Sequence, residues 1–149
     1  MSEQNPIFSI TYLMVKVARA HRALVSNALT DFNLHIGQER LLMELWYEDG
    51  LTQTELAIRL CIEPPTLTKM LSRLEKTQLL EKRRDVSDAR VSRIYLTDKG
   101  HSFQKSVTKL WFDIEATILA ELSTEERLLY RRLLMQIHQN LESTKLSLK

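Results

Sequence analysis

The chain is poor in the residues that staple, bend or interrupt a fold. Its 149 residues include one cysteine, three glycines and three prolines, and no window of 18 apolar residues occurs. The lone Cys61 cannot close an intramolecular disulfide. No Cys-x-x-Cys or His-x-x-x-His spacing exists either, so neither a disulfide framework nor a simple structural zinc site is available. The four histidines, His21, His35, His101 and His138, are scattered without ligand spacing, and neither a metal nor another cofactor is expected. So few glycines leave no glycine-rich phosphate loop. With no nucleophile elbow and no paired catalytic carboxylates, the sequence argues against an enzyme. The missing apolar run argues against a membrane helix, and Met1-Ser-Glu-Gln-Asn-Pro6 lacks the basic start and apolar core of a signal peptide. A soluble, cytoplasmic protein with no membrane partner is expected, stabilised by packing alone.

Net charge is also scarce, at +2, but it is unevenly spread. Residues 64–97 hold Lys69, Arg73, Lys76, Lys82, Arg83, Arg84, Arg90 and Arg93 against only Glu75, Glu81, Asp85 and Asp88, so the rest of the chain is net acidic. A local excess of positive charge marks either a solvated face or a surface for a polyanion. The order of elements decides between them.

Apolar residues dominate what is present. Ile10, Leu13, Met14, Val17, His21, Leu24, Val25 and Ala28 recur at three- and four-residue steps and predict a helix over about 7–30. A second helix over about 37–48 carries Leu41, Leu42, Leu45 and Trp46 and ends near Asp49-Gly50, where glycine suits a left-handed cap. Thr52-Gln-Thr-Glu55 is a capping box that starts a third helix. That helix breaks at Cys61-Ile62-Glu63, because Pro64 pushes its predecessor out of the α region. Pro64-Pro65 then opens a fourth helix, whose Leu67, Met70, Leu71 and Leu74 line one face and whose Thr66, Lys69, Ser72, Arg73 and Lys76 line the other. From Leu79 the period turns to alternation, and a two-stranded hairpin is expected with Leu80, Lys82, Ile94 and Leu96 on one side. A long helix from Thr97-Asp98 to about Leu122 and a final one after the capping box Ser123-Thr-Glu-Glu126 complete the chain. No linker separates these parts.

Two helices joined by a three-residue turn and followed by a basic hairpin describe a winged helix-turn-helix. The fold class expected is mainly α, with a two-stranded β wing and N- and C-terminal dimerisation helices. Residues 36–97 would form the DNA-binding region, and 1–35 with 98–149 the helical dimerisation region, as one intertwined domain. A helix of about 12 residues with a Thr, Lys, Ser and Arg face fits a major groove, and an Arg at the hairpin tip can reach a minor groove. The candidate DNA contacts are Thr66, Thr68, Lys69, Ser72, Arg73 and Lys76 on the helix, with Arg84, Asp88, Arg90 and Arg93 on the hairpin. The terminal helices have wide apolar faces that gain little stability alone, which predicts an obligate homodimer. Two-fold symmetry then spaces the reading helices about 34 Å apart and demands a pseudo-palindromic operator in double-stranded DNA. The rival from another class is a winged-helix adaptor that binds protein and not DNA; it has no need of the local positive charge.

With these residues assembled, the chain resembles the MarR family of bacterial transcription regulators over essentially its whole length. The hairpin Asp88-Ala-Arg90 followed by Leu96-Thr97-Asp-Lys-Gly100 is similar to that family's wing motif, and Pro65 to Glu75 resembles its recognition helix. The resemblance implies a triangular dimer with two wings, with Arg90 in the minor groove oriented by Asp88, and Thr66, Lys69 and Arg73 at the major groove. It also implies repression, relieved when a small aromatic or lipophilic effector binds between the dimer helices and the DNA-binding lobes. Tyr12, Lys16, Arg19, His35, Trp46 and Tyr47 are the expected lining of that effector site. One departure stands out. There is no cysteine near the start of the first helix, as the redox-sensing branch has, and Cys61 is expected to be a small apolar core residue of the turn.

Overall fold

The computed structural model describes residues 5–147, so the N-terminal reading of Met1 to Gln4 lies outside the described residues. The chain forms two compact units, Met1–Trp111 and Phe112–Lys149. Among the described residues no helix is long and apolar enough to cross a membrane.

In the first unit a short 3-10 turn, Pro6–Phe8, precedes α1 (Ile10–Leu29), whose Ser9 cap accepts the Tyr12 N–H at 3.1 Å. A second 3-10 turn ends at Asn33, which adopts a left-handed φ of 53°. Helix α2 (Gln38–Tyr47) follows. The expected glycine cap takes a different form: Glu48 caps α2 in extended conformation, and the left-handed Gly50 (φ 78°) instead turns the chain into strand β1, Leu51–Thr52. The physical reason is a lock on the sheet. Asp49 Oδ1 accepts the Leu96 N–H, and the Gly50 N–H donates to the Ile94 carbonyl, both at 3.0 Å. A side chain at Gly50 would meet the Tyr95 ring at 2.8 Å.

Helix α3 (Gln53–Leu60) begins on the expected box, with Thr52 Oγ1 accepting the Glu55 N–H and Glu55 accepting the Thr52 N–H at 2.7 Å. Cys61 ends it in a left-handed conformation. This corrects the core role expected of Cys61, which is exposed; the left-handed backbone turns it away from the apolar seam. Helix α4 (Pro64–Lys76) opens on its two prolines. Strands β2 (Leu80–Arg84) and β3 (Ser92–Leu96) pair antiparallel, with Leu80 opposite Leu96 and Lys82 opposite Ile94. The wing is two-stranded as expected, but β1 pairs on the other edge of β3, making a three-stranded sheet ordered β1-β3-β2. Two residues of strand are too short to announce themselves by periodicity. The core beneath is mostly leucine: Leu41, Leu42, Leu45, Leu56, Leu67, Leu71, Leu74 and Leu80, closed by Ile94.

The long helix expected after the wing is divided. Helix α5 (Asp98–Ser102), capped by Thr97 Oγ1 on the Gly100 N–H at 3.1 Å, stops at Phe103, and α6 (Gln104–Ile118) resumes beyond it. Phe103 stands edge-on to Phe32 with ring centroids 6.3 Å apart, a tertiary contact invisible in the local pattern. In the second unit α6 stops at Ile118, short of the expected Leu122, and Glu121 takes a left-handed φ of 66°. Arg127 satisfies the carbonyls left over, donating to Leu119 at 2.9 Å and Leu122 at 3.1 Å. The second capping box holds, with Ser123 and Glu126 exchanging backbone bonds, and α7 (Thr124–Ser147) follows.

Candidate nucleic-acid interface

Helix α4 buries Leu67, Leu71 and Leu74 and leaves Thr66, Thr68, Lys69, Arg73 and Lys76 exposed, with Ser72 half-buried. This follows from the sequence: apolar residues at steps of four and three leave the intervening polar positions facing outward. The Thr68 hydroxyl donates to the Pro64 carbonyl at 3.0 Å, which leaves its methyl group and a lone pair for an outside partner.

The wing tip is built around Asp85, which sequence reasoning missed. Its Oδ1 accepts the N–H of Ser87 at 2.8 Å and of Asp88 at 3.1 Å, together with the Ser87 hydroxyl, while Oδ2 takes the Arg93 guanidinium. The hydrogen bonds from Ser87 and then Arg93 hold the Asp85 carboxyl well below the usual carboxylate range. Arg93 also donates to the Gly50 carbonyl at 2.9 Å, tying wing to β1. Arg93 thus holds the wing together. Asp88 accepts the Arg90 N–H at 2.9 Å, so it shapes the backbone at Arg90 and makes no ion pair with its guanidinium.

Ion pairing sorts the cations. Lys82 lies 3.9 Å from Glu75, Arg83 pairs with Glu81 and stacks 4.7 Å from the Tyr95 centroid, and Arg59 of α3 pairs with Glu48 and Glu44. Among the described residues, Lys69, Arg73, Lys76, Arg84 and Arg90 have no such acidic partner. These five lie on the outer face of α4 and on the hairpin. The surface they form can neutralise phosphates and reach groove edges.

The residues expected to line an effector site are mostly on the surface. Tyr12, Lys16, Arg19 and His35 are exposed, Tyr47 is 86% exposed, and half-buried Trp46 donates its indole N–H to the Gly100 carbonyl at 3.1 Å. None of the six lines either of two clefts of the first unit, one of about 490 Å³ and one of about 500 Å³ beside the α3–α4 turn. The first of these lies between α1, the start of α2, the α3–α4 turn and α4 itself, and its walls include Arg22, Glu39, Arg40, Thr66, Met70 and Trp111. Helical phase carried a signal for Glu39, which lies three residues before Leu42 on the inward side of α2. It is 1% exposed, and its Oε2 has no hydrogen-bond partner. Burial raises the Glu39 pKa, against backbone N–H groups at the helix start and the nearby Arg40, which lower it. The Trp111 indole N–H is likewise buried and unpartnered. Among the described residues no group of three or more His, Cys, Asp or Glu is placed to hold a metal.

Comparison with known proteins bears on this arrangement. A family model described as the MarR family matches residues 34–92, from the approach to α2 through the wing. An uncharacterized HTH-type transcriptional regulator of Bacillus subtilis (strain 168), YdgJ, is 30% identical over 110 residues, covering 72% of this chain and 67% of that protein. The chain belongs to the MarR family. The HTH-type transcriptional regulator TtmR of Methylorubrum extorquens (strain PA1) is 37% identical over 86 residues, 58% of this chain but only 42% of that protein, so the chain spans less than half of that relative. Among solved structures, the S. aureus MepR–DNA complex superposes with a TM-score of 0.82 at 27% identity, covering 89% of this chain and 98% of that one. Both of these relatives, YdgJ and TtmR, are described as HTH-type transcriptional regulators.

Proposed function

We infer that this chain is a sequence-specific DNA-binding transcriptional repressor that grips a pseudo-palindromic operator as a homodimer and is released by a small-molecule effector. The observation that carries this reading is the selective pairing of charge. Lys82, Arg83 and Arg93 of the wing are neutralised internally, while Lys69, Arg73, Lys76, Arg84 and Arg90 are left for phosphates and groove edges. Counterion release by these groups supplies salt-sensitive affinity, and Thr66 and Lys69 supply base contacts, with Arg90 reading a narrow minor groove. MepR was crystallised with DNA, which supports the assignment of the same surface here.

Dimerisation is supported by apolar residues exposed on both terminal helices: Ile10 (76%), Leu13 and Val17 on α1, and Leu128 (65%), Leu133 and Leu141 on α7. Covering such side chains is worth about 1.5–3 kcal/mol each, so pairing by residues 1–35 and 98–149 is strongly favoured, leaving 36–97 to read DNA. A cytoplasmic protein fits this role. The effector site is the cleft walled by Thr66 and Met70, because an occupant there touches the helix that carries Lys69. To release DNA it must prefer the operator-free conformation.

Selection of bound sequences from a random duplex pool, with sedimentation of the free protein, tests the whole reading. A palindrome of half-sites about one helical turn apart and a dimer are expected. A monomer, or no duplex binding at low salt, overturns it; an adaptor would give the latter.

A further inference from the structure

The tip of the wing is closed by its own hydrogen bonds. Asp85 Oδ1 accepts the N–H groups of Ser87 and Asp88, and Asp88 accepts that of Arg90. Backbone bonds of 2.9 Å run from the Asp85 N–H to the Val91 carbonyl and from the Val91 N–H to the Asp88 carbonyl. Inside this frame sits Val86, the most exposed large apolar side chain among the described residues. Its branched Cβ leaves little rotamer freedom, so the side chain is held as firmly as the turn while its two methyl groups face solvent. A lone exposed valine is ordinary on a protein surface. This one is flanked by exposed Arg84, Ala89 and Arg90, and neither arginine has an acidic partner. We propose that Val86 is a specificity-determining residue that packs its methyl groups against the deoxyribose walls of the DNA minor groove, alongside Arg90.

The mixture of apolar tip and flanking cations selects this occupant. The minor groove is about 6 Å wide, walled by the C–H faces of sugars and bordered by phosphates. It offers apolar walls to a small branched side chain and negative potential to the arginines on either side. A major groove about 12 Å wide would touch one side of so slender a tip. An apolar groove on a protein would cover Val86 but leave Arg84 and Arg90 without counter-charge. Contact with both sugar walls requires them to be close together, so the valine adds to the preference for narrow A-tract groove that Arg90 gains from electrostatic potential. It neutralises no phosphate, so it changes affinity and sequence choice without changing salt dependence.

This role rests on the DNA-binding reading above and fails separately from it. Fluorescence anisotropy of the full chain compares two forms of a duplex selected from the random pool, one with an A-tract and one with a G·C run in the segment under the wing. Relative to the parent protein on the same duplex, Val86→Ser is expected to lose about three- to tenfold on the A-tract form and less than about twofold on the G·C form. The slope of log affinity against log salt stays unchanged. Val86→Ile, which keeps a branched apolar side chain, stays within about twofold of the parent on the A-tract form; thermal melts verify that both variants fold. A loss below about threefold for Val86→Ser on the A-tract form, an equal loss on both forms, an equal loss for Val86→Ile or a shallower salt slope overturns the role of Val86, while binding by the parent protein upholds the DNA-binding reading. No duplex binding by the parent protein overturns that reading and the role of Val86 with it.

Discussion

Replacing Gly100 by alanine separates an argument from local propensity from one based on packing, because the two differ in sign. Gly100 lies inside helix α5, where alanine ordinarily gains about 0.5–1 kcal/mol over glycine. In the folded protein its added Cβ would lie 2.0 Å from the Leu79 carbonyl oxygen and 3.0 Å from Leu96 Cδ2. The obstacle is backbone and not the tip of a flexible side chain, so α5 must back away from the base of the wing. That movement strains two bonds anchored there, Thr97 N–H to Leu79 O at 3.2 Å and Trp46 Nε1 to Gly100 O at 3.1 Å. Overpacking costs about 1–3 kcal/mol and each weakened bond up to about 1 kcal/mol, so after the propensity gain a net loss of about 2–4 kcal/mol is expected. Urea unfolding followed by far-UV circular dichroism, at one fixed protein concentration, reads this as a midpoint lower by about 1–2 M. A variant as stable as the parent, or more so, would refute the packing argument and show that the α5 contact with the wing base is soft.

Arg90→Ala is expected to lose about 1–3 kcal/mol of operator binding by fluorescence anisotropy, with unchanged thermal stability; unchanged affinity removes Arg90 from the groove. Lys69→Ala weakens binding and lowers the slope of log affinity against log salt by about one if the lysine contacts a phosphate. Asp85→Ala loosens the wing tip, so it lowers duplex affinity while barely moving the melting temperature. Because the folded Asp85 pKa is depressed, its ordering of the tip is in place above about pH 4 and is lost only as pH falls through the lower folded value, so affinity shows no acid loss from this group near neutrality. Glu39 has the opposite sign. Its pKa is raised by burial, so the folded state holds its proton more tightly and stability from this group falls as pH rises from the unfolded value through the folded one. Glu39→Gln therefore raises the melting temperature at neutral pH, and the gain shrinks on acidification; a constant gain would show that the carboxylate is not desolvated.

Much of the fold is written in local chemistry. The Thr52–Glu55 box, the proline pair at 64–65 and the leucine steps of α4 each specify their element through interactions within a few residues, and each appears where the sequence indicated. The exposed α4 face was legible for the same reason, since helical phase assigns it once the buried leucines are known. Partners across the chain were not. Arg93 and Asp85 were indistinguishable from any other wing charges until the hairpin register brought them together, and the contact of Phe103 with Phe32 joins residues far apart in the chain.

The effector residues illustrate the limit most clearly. Tyr12, Lys16, Arg19, His35, Trp46 and Tyr47 have types that suit a ligand, but pocket membership depends on how separate elements pack, and the cleft of about 490 Å³ is lined by Arg22, Glu39, Thr66, Met70 and Trp111 among others. The order of helices, their caps and the basic hairpin came from the sequence by itself, because hydrogen bonding and hydrophobic period act between near neighbours. Which cations stay unpaired, which carboxylate orders the wing and which polar atoms are stranded in a cavity was decided only by tertiary structure, since each depends on distances between residues that the chain order leaves undetermined.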